Sequence, residues 1–317
     1  MHHTTPPSPS SSSTQTSSQL PQLSQLSRQS PQSPPCPPAD LVGRLRAAGC
    51  VFAEDEAQLL WETASGPDEL RAMTARRVAG HPLEHVVGWA EFAGLRIAVD
   101  PGVFVPRRRT ESLVRCAAAC APGAGTPVLV DLCCGTGAVG VALLAALGGR
   151  GELHAADLDP AAVRCARRNL AQAGGHVHEG DLFAALPGSL RGRIDVLTAN
   201  VPYVPTADIP LLPPEARDHE PRPALDGGPD GLSLLRRVAT DAAAWLAPGG
   251  ALLTETSSHQ AQPAADLLSA AGLEVTVTTD PDLNATTLTA HRPGPGPGRP
   301  PGSVKGGGVE EGAPTRR

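Results

Sequence analysis

The chain has 317 residues, 40% of them hydrophobic and only 3% aromatic, with a formal net charge of −6. That length buries an ordinary core in one large domain or two small ones, and the acidic balance argues against a general nucleic-acid binder held by phosphate contacts. Seven cysteines without paired zinc-finger spacing, and no apolar run long enough for a bilayer, argue against a structural metal and a membrane span; they fit reduced thiols in a soluble cytoplasmic protein.

Residues 1–38 are Ser, Pro, Gln and Thr with almost no apolar periodicity, and residues 293–317 are rich in Gly and Pro. Neither tail buries enough surface to offset its ordering entropy, so both read as disordered. Residues 39–88 follow a helical pattern, with stripes at Leu41, Leu45 and Ala48, at Ala57, Leu60 and Trp61, and at Leu70, Met73 and Val78. A segment so short makes little core alone and is expected to pack on the larger unit C-terminal to it. Glu91–Asp100 reads as a hairpin within a linker of residues 89–110. Thr110 then offers an N-cap to a helix running to Cys120, with Glu111 in its first turn.

Residues 111–292 hold the larger unit. From Val128 strands and helices alternate: strands at 128–132, 152–157, 176–179, 194–199, 251–255, 273–279 and 285–291, with helices at 138–147, 160–173, 232–246 and 260–271. Strands separated by helices predict a doubly wound α/β sheet with ligands at the carboxyl ends of its strands. The last two strands lack an intervening helix, which predicts one antiparallel strand.

Asp131–Gly140 reads D-L-C-C-G-T-G-A-V-G. Gly135, Gly137 and Gly140 satisfy the dinucleotide fingerprint literally, and Asp157 ends the next strand in the position of a ribose-binding acid, so an NAD enzyme is a real rival. Asp131, at the end of the first strand, favours S-adenosylmethionine instead. A carboxylate there opposes a pyrophosphate and suits a ligand bearing an ammonium and a sulfonium. After the third strand, Asp181 could accept from an adenine amino group or cap a helix, and Phe183 could pack on the adenine face. Asp159 reads as the N-cap of the helix opened by Pro160.

Asn200-Val201-Pro202-Tyr203 comes directly after the strand at 194–199, where this fold places its reaction centre. An amide nitrogen is a poor nucleophile, because its lone pair is delocalised into the carbonyl. Methylating it requires holding both N–H bonds and aiming the lone pair. Asn200 offers a side-chain oxygen to one N–H and the Val201 carbonyl can take the other, with Pro202 fixing the backbone. Tyr203 can cover the flat amide face beside developing positive charge.

From about residue 39 to 292 the sequence resembles the HemK/PrmC family, the N5-glutamine methyltransferases of release factors. The likeness rests on four motifs in order. These are Pro106-Arg107-Arg108-Arg109-Thr110-Glu111; Asp131-Leu132-Cys133-Cys134-Gly135-Thr136-Gly137; Asn200-Val201-Pro202-Tyr203; and Glu220-Pro221 with Ala224-Leu225, then Gly227-Gly228-Pro229-Asp230-Gly231-Leu232. Val201 stands where the family has its first Pro, Cys133 where it has Gly, and Arg108 where the linker motif has Pro. The resemblance implies a Rossmann-like class I methyltransferase with a seven-stranded, mostly parallel sheet and a small N-terminal helical domain that helps hold a protein substrate. It implies S-adenosyl-L-methionine as cofactor, bound by Asp131, Gly135, Thr136, Gly137, Asp157, Asp181, Phe183 and Asn200. It implies Asn200, Pro202 and Tyr203 as catalytic residues, with Val201, Pro106 and Glu111 joining them in substrate binding. The acceptor implied is the Gly-Gly-Gln glutamine of a peptide-chain release factor, met by a monomeric cytoplasmic enzyme without metal, membrane or direct nucleic acid. Arg107–Arg109 reads either as a solvated charged face or as a docking patch for an acidic partner. Two rival functions remain: an N6-adenine methyltransferase, because a similar motif serves any planar amino group, and a non-catalytic cofactor-binding protein.

Overall fold

A computed structural model describes residues 1–2 and 37–294, so nearly all of both expected disordered tails lies outside the described residues. Four helices come first: α1 (Ala39–Ala47), α2 (Ala53–Thr63), α3 (Pro67–Val78) and α4 (Leu83–Val87). Leu41, Leu45, Ala57, Leu60 and Met73 join Cys50, Ala53 and Val86 in a small core of their own. The expected stripes overreach at their ends: Ala48 is exposed, and Val78, the last residue of α3, is 41% exposed. Arg77, on the same helix, is buried instead. It donates to both oxygens of Glu56 on α2, at 2.6 and 3.1 Å.

Strands β1 (Trp89–Phe92) and β2 (Leu95–Ala98) form the expected hairpin, paired antiparallel from Trp89↔Ala98 to Phe92↔Leu95. Its inward residues Phe92 and Ile97 are buried against α5 (Glu111–Cys120) and the sheet. Thr110 does not cap α5. A single 3-10 turn, Arg108–Thr110, runs straight into the helix, so Thr110 has helical dihedrals and its N–H bonds to Arg107. Its hydroxyl is buried without a partner.

The main sheet is built from β3 (Val128–Leu132), α6 (Ala138–Ala146), β4 (Glu152–Asp157), α7 (Pro160–Leu170), β5 (His176–Glu179) and β6 (Ile194–Ala199). A short helix α8 (Pro214–His219) precedes α9 (Ser233–Trp245), β7 (Leu246–Thr256), α10 (Ala261–Ala270), β8 (Glu274–Asp280) and β9 (Ala285–His291). The strand order is β5-β4-β3-β6-β7-β9-β8, with β9 antiparallel to both neighbours and the other pairs parallel. The sheet is seven-stranded and mostly parallel, as expected. Every residue of β3 is buried, as a strand covered by helices on both faces requires. Edge strand β8 exposes mostly polar residues, Glu274, Thr276, Thr278 and Thr279 beside Val277, which blunts the free edge. Asp159 caps α7 as expected, accepting from the Ala161 N–H at 2.8 Å. No helix among the described residues is long and apolar enough to cross a membrane.

Candidate active site

The chain crosses to opposite sides of the sheet from β3 and from β6, and their loops part between them. The carboxyl ends of β3, β4, β6 and β7 enclose a cavity of about 1050 Å³ there.

Asp131 lines the cavity while only 1% exposed. Its Oδ2 accepts from the Gly140 N–H at 3.0 Å and its Oδ1 from the Thr198 hydroxyl at 2.9 Å. Burial outweighs both hydrogen bonds and pushes its carboxyl up to about 7 from an ordinary 3.8. Asp157 accepts from the N–H groups of Gly135 (2.8 Å) and Asp159 (2.9 Å), and burial raises it as well. Each of its oxygens keeps a lone pair for a diol. These bonds also bear on the dinucleotide reading. The Gly135 and Gly140 N–H groups, which a pyrophosphate would need, are engaged by the chain's own carboxylates. The donor set fits a cationic ligand.

The glycine loop divides. Gly135 and Thr136 line the cavity, and a side chain added at Gly135 would point into open space. Gly137 does not line it. With φ +77° it opens α6, and a Cβ there would fall 2.5 Å from the Leu170 side chain, so this glycine lets α6 pack on α7. Cys133 takes a left-handed backbone (φ +55°), a conformation that favours glycine, and its side chain borders the cavity.

After β5, Leu182 takes φ +48°, which reverses the expected facing of the segment. Leu182 lines the cavity, while Phe183 turns into the core and stacks on Trp245 with centroids 5.4 Å apart. Phe183 is therefore not positioned to meet an adenine. Asp181 stands at the cavity wall, paired with Arg237 at 2.6 Å, and makes no side-chain cap bond to the turn beyond it. The sequence reading missed Leu158. It is 67% exposed, lines the cavity beside Asp157 and offers an apolar face. The available signal was an apolar residue directly after the acid that ends a strand.

Asn200, Val201, Pro202 and Tyr203 all line the cavity. The Asn200 carboxamide takes no part in the side-chain bonds that fix its neighbours Thr198 and Tyr203. Val201 turns its side chain into the core at 3% exposure. The Gly227–Leu232 stretch braces this motif. A Cβ on Gly227 would fall 2.7 Å from the Pro202 carbonyl oxygen, and one on Gly231 would collide with that of Tyr203, so only glycine permits the approach. Gln260 ties the two segments, donating to the Tyr203 and Asp230 carbonyls at 2.9 Å each.

Pro106 lines the cavity, but Glu111 does not: its carboxylate accepts from the Ala93 N–H in the hairpin turn, 3.1 Å away. Neither reading of the arginine run describes all of it. Extended Arg107 and the turn after it bring Arg107 and the exposed Arg109 to the cavity wall, whereas Arg108 is exposed and does not line the cavity. Arg107 pairs with the buried Glu220 at 2.5 Å, and Arg109 bonds to Glu255 and Tyr203. Arg77 also reaches the site, donating to Glu215 on the cavity wall at 2.6 Å. Among the described residues no group of three or more His, Cys, Asp or Glu could hold a metal ion.

The chain is similar to known methyltransferases. The family model described as a methyltransferase domain matches residues 129–219. A release factor glutamine methyltransferase from Streptomyces coelicolor is 40% identical over 190 residues, covering 59% of this chain and 67% of that protein. One from Deinococcus radiodurans is 37% identical over 271 residues, covering 79% and 95% respectively. A 4-amino-L-phenylalanine/4-methylamino-L-phenylalanine methyltransferase from Streptomyces pristinaespiralis is 37% identical over 222 residues, covering 68% and 75%.

Proposed function

The chain belongs to the family of release factor glutamine methyltransferases, and from that premise we propose that it methylates the side-chain amide nitrogen of the Gly-Gly-Gln glutamine in a peptide-chain release factor. The observation that carries this reading is the Asn200 carboxamide, which makes no side-chain hydrogen bond among the described residues and shares one cavity with Asp131 and Asp157. S-adenosylmethionine, when bound, supplies an electrophilic methyl carbon on a sulfonium. Asp157 would hold its ribose hydroxyls, Leu158 and Leu182 would offer apolar faces to its adenine, and Asp131 would face its amino-acid end. Asn200 accepts one N–H of the acceptor amide and the Val201 carbonyl accepts the other, which aims the nitrogen lone pair at the methyl group. No base would be needed beforehand: the nitrogen–methyl bond would form as the methyl–sulfur bond breaks, leaving a neutral thioether, and the amide proton would then pass to water. Positioning supplies most of the rate, and such proximity is worth on the order of 7–11 kcal/mol. The four N-terminal helices, anchored to the cavity wall through Arg77 and Glu215, help hold the protein substrate. The enzyme acts as a cytoplasmic monomer.

The test is transfer of labelled methyl from S-adenosylmethionine to a purified release factor, beside its Gln→Ala variant. Label on both proteins, or on neither, overturns the acceptor assignment. The relative that acts on an aromatic amine motivates a third arm: label in 4-amino-L-phenylalanine but not in the release factor would assign a small-molecule acceptor. Neither the N6-adenine reading nor the non-catalytic one is favoured by these relatives.

Asp131 makes cofactor binding depend on pH. Its folded carboxyl stands above the ordinary value, so its contribution to stability is complete below about pH 4 and is lost as pH rises toward about 7. A cationic ligand favours the ionised carboxylate and opposes that shift. Cofactor affinity is therefore expected to increase from pH 6 to pH 7.5, with protons released on binding at pH 6. Calorimetry in buffers of different ionisation enthalpy measures both. If Asp131→Asn shows the same proton release as the wild type, Asp131 is not its source.

A further inference from the structure

Tyr203 is the chain's one tyrosine, and two charged side chains from distant segments hold its phenol. Its hydroxyl donates to Glu255 Oε1 at 2.9 Å, and the same oxygen accepts from Arg109 Nη2 at 2.7 Å. Arg109 Nε donates to that same Glu255 Oε1 at 2.9 Å, which closes a ring of three bonds. The guanidinium also lies 5.9 Å from the centroid of the tyrosine ring, at the limit of a cation–π contact. Glu255, at the end of β7, is 2% exposed and lines the cavity. Its Oε2 is buried without a hydrogen-bond partner, and among the described residues Arg109 is its one ion-pair partner.

This ring constrains the site in two ways. A phenol held at its oxygen from two sides can flip about its ring axis but cannot change rotamer without breaking both bonds. A buried carboxylate without a counter-ion would draw a cationic side chain to the cavity, whereas a glutamine amide is neutral. Arg109 addresses both at once.

We infer that Arg109 is a positioning residue for methyl transfer: it fixes the Tyr203 ring at the acceptor amide and neutralises Glu255, so that the cavity receives an uncharged side chain. This rests on the amide-acceptor reading above. Arg109 acts through Tyr203 and Glu255. Lysine at this position keeps the charge but cannot reproduce the fork that reaches two oxygens at once.

The single tyrosine makes the test direct. The full chain is labelled with ring-13C tyrosine and its NMR signals are recorded without substrate for wild type, Arg109→Met and Arg109→Lys. Wild type is expected to give one set of sharp ring signals. Arg109→Met is expected to shift or broaden them, and Arg109→Lys to return them part of the way. In kinetics, Arg109→Met is expected to lower kcat on the order of 10²-fold, as a misplaced reacting group does. Its cofactor Kd should stay unchanged, and Arg109→Lys should recover part of kcat. Wild-type ring signals in Arg109→Met, or a loss confined to KM, would overturn the inference. Should Arg109→Met fail to fold, Arg109→Lys alone decides: unaltered ring signals and unaltered kcat refute the role, and intermediate values support it. The two readings fail separately. A wild-type enzyme that leaves the release factor unlabelled overturns the acceptor, while the ring signals still report whether Arg109 holds Tyr203.

Discussion

Replacing Asn200 by alanine is expected to lower methyl transfer by about 10²–10³-fold, the range seen when one preorganised hydrogen-bonding group is removed from a reaction centre, with cofactor affinity nearly unchanged. The reason is the difference between binding and aiming. In the proposed function Asp157, Asp131 and the Gly135 loop would hold the cofactor on the β3–β4 side of the cavity, while the Asn200 carboxamide, at the end of β6, makes no side-chain hydrogen bond among the described residues. Without the carboxamide, one N–H of the acceptor loses its partner and the nitrogen lone pair is no longer directed. Single-turnover transfer measured beside calorimetric cofactor binding separates the two effects. Equal losses in both would show that Asn200 serves chiefly to bind the cofactor.

Arg77→Met is expected to destabilise the protein by about 3–5 kcal/mol, the range for removing one partner of a buried ion pair. Arg77 and Glu56 are both almost fully buried and doubly hydrogen-bonded, and Arg77 reaches on to Glu215 on α8. Removing the guanidinium strands Glu56 in an apolar helical core and frees the helices from the cavity wall. The double variant Glu56→Gln/Arg77→Met should recover much of the loss, because the buried charge goes with its partner. Urea unfolding of wild type, single and double variants measures this. A single variant as stable as wild type would show that the pair holds nothing together.

The parts of the site legible in the sequence were local ones. Asp157 and Asn200 each end a strand or come directly after one, and a strand end in a doubly wound sheet already fixes which rim of the molecule a residue occupies. The same locality explains the Asp159 cap, which depends on residues two positions apart. Readings failed where one backbone angle or one distant partner decided the outcome. A single left-handed residue, Leu182, exchanged the facings of Leu182 and Phe183. Gly137 satisfies a cofactor fingerprint, yet its freedom is used for packing against Leu170, 33 positions along the chain. Glu111 is drawn to a hairpin turn, away from the cavity.

By itself, then, the sequence determined the strand–helix alternation, the antiparallel end of the sheet, the family, and the strand ends that line the cavity. Those derive from apolar periodicity and short motifs, whose physics is settled within a few residues of chain. Tertiary structure decided which side chains the cavity receives and what holds them. Arg109 and Glu255 are 146 residues apart, and Arg77 and Glu215 are 138 apart. A charged residue's role depends on the partner that burial brings beside it, and that partner is chosen by the packing of whole elements.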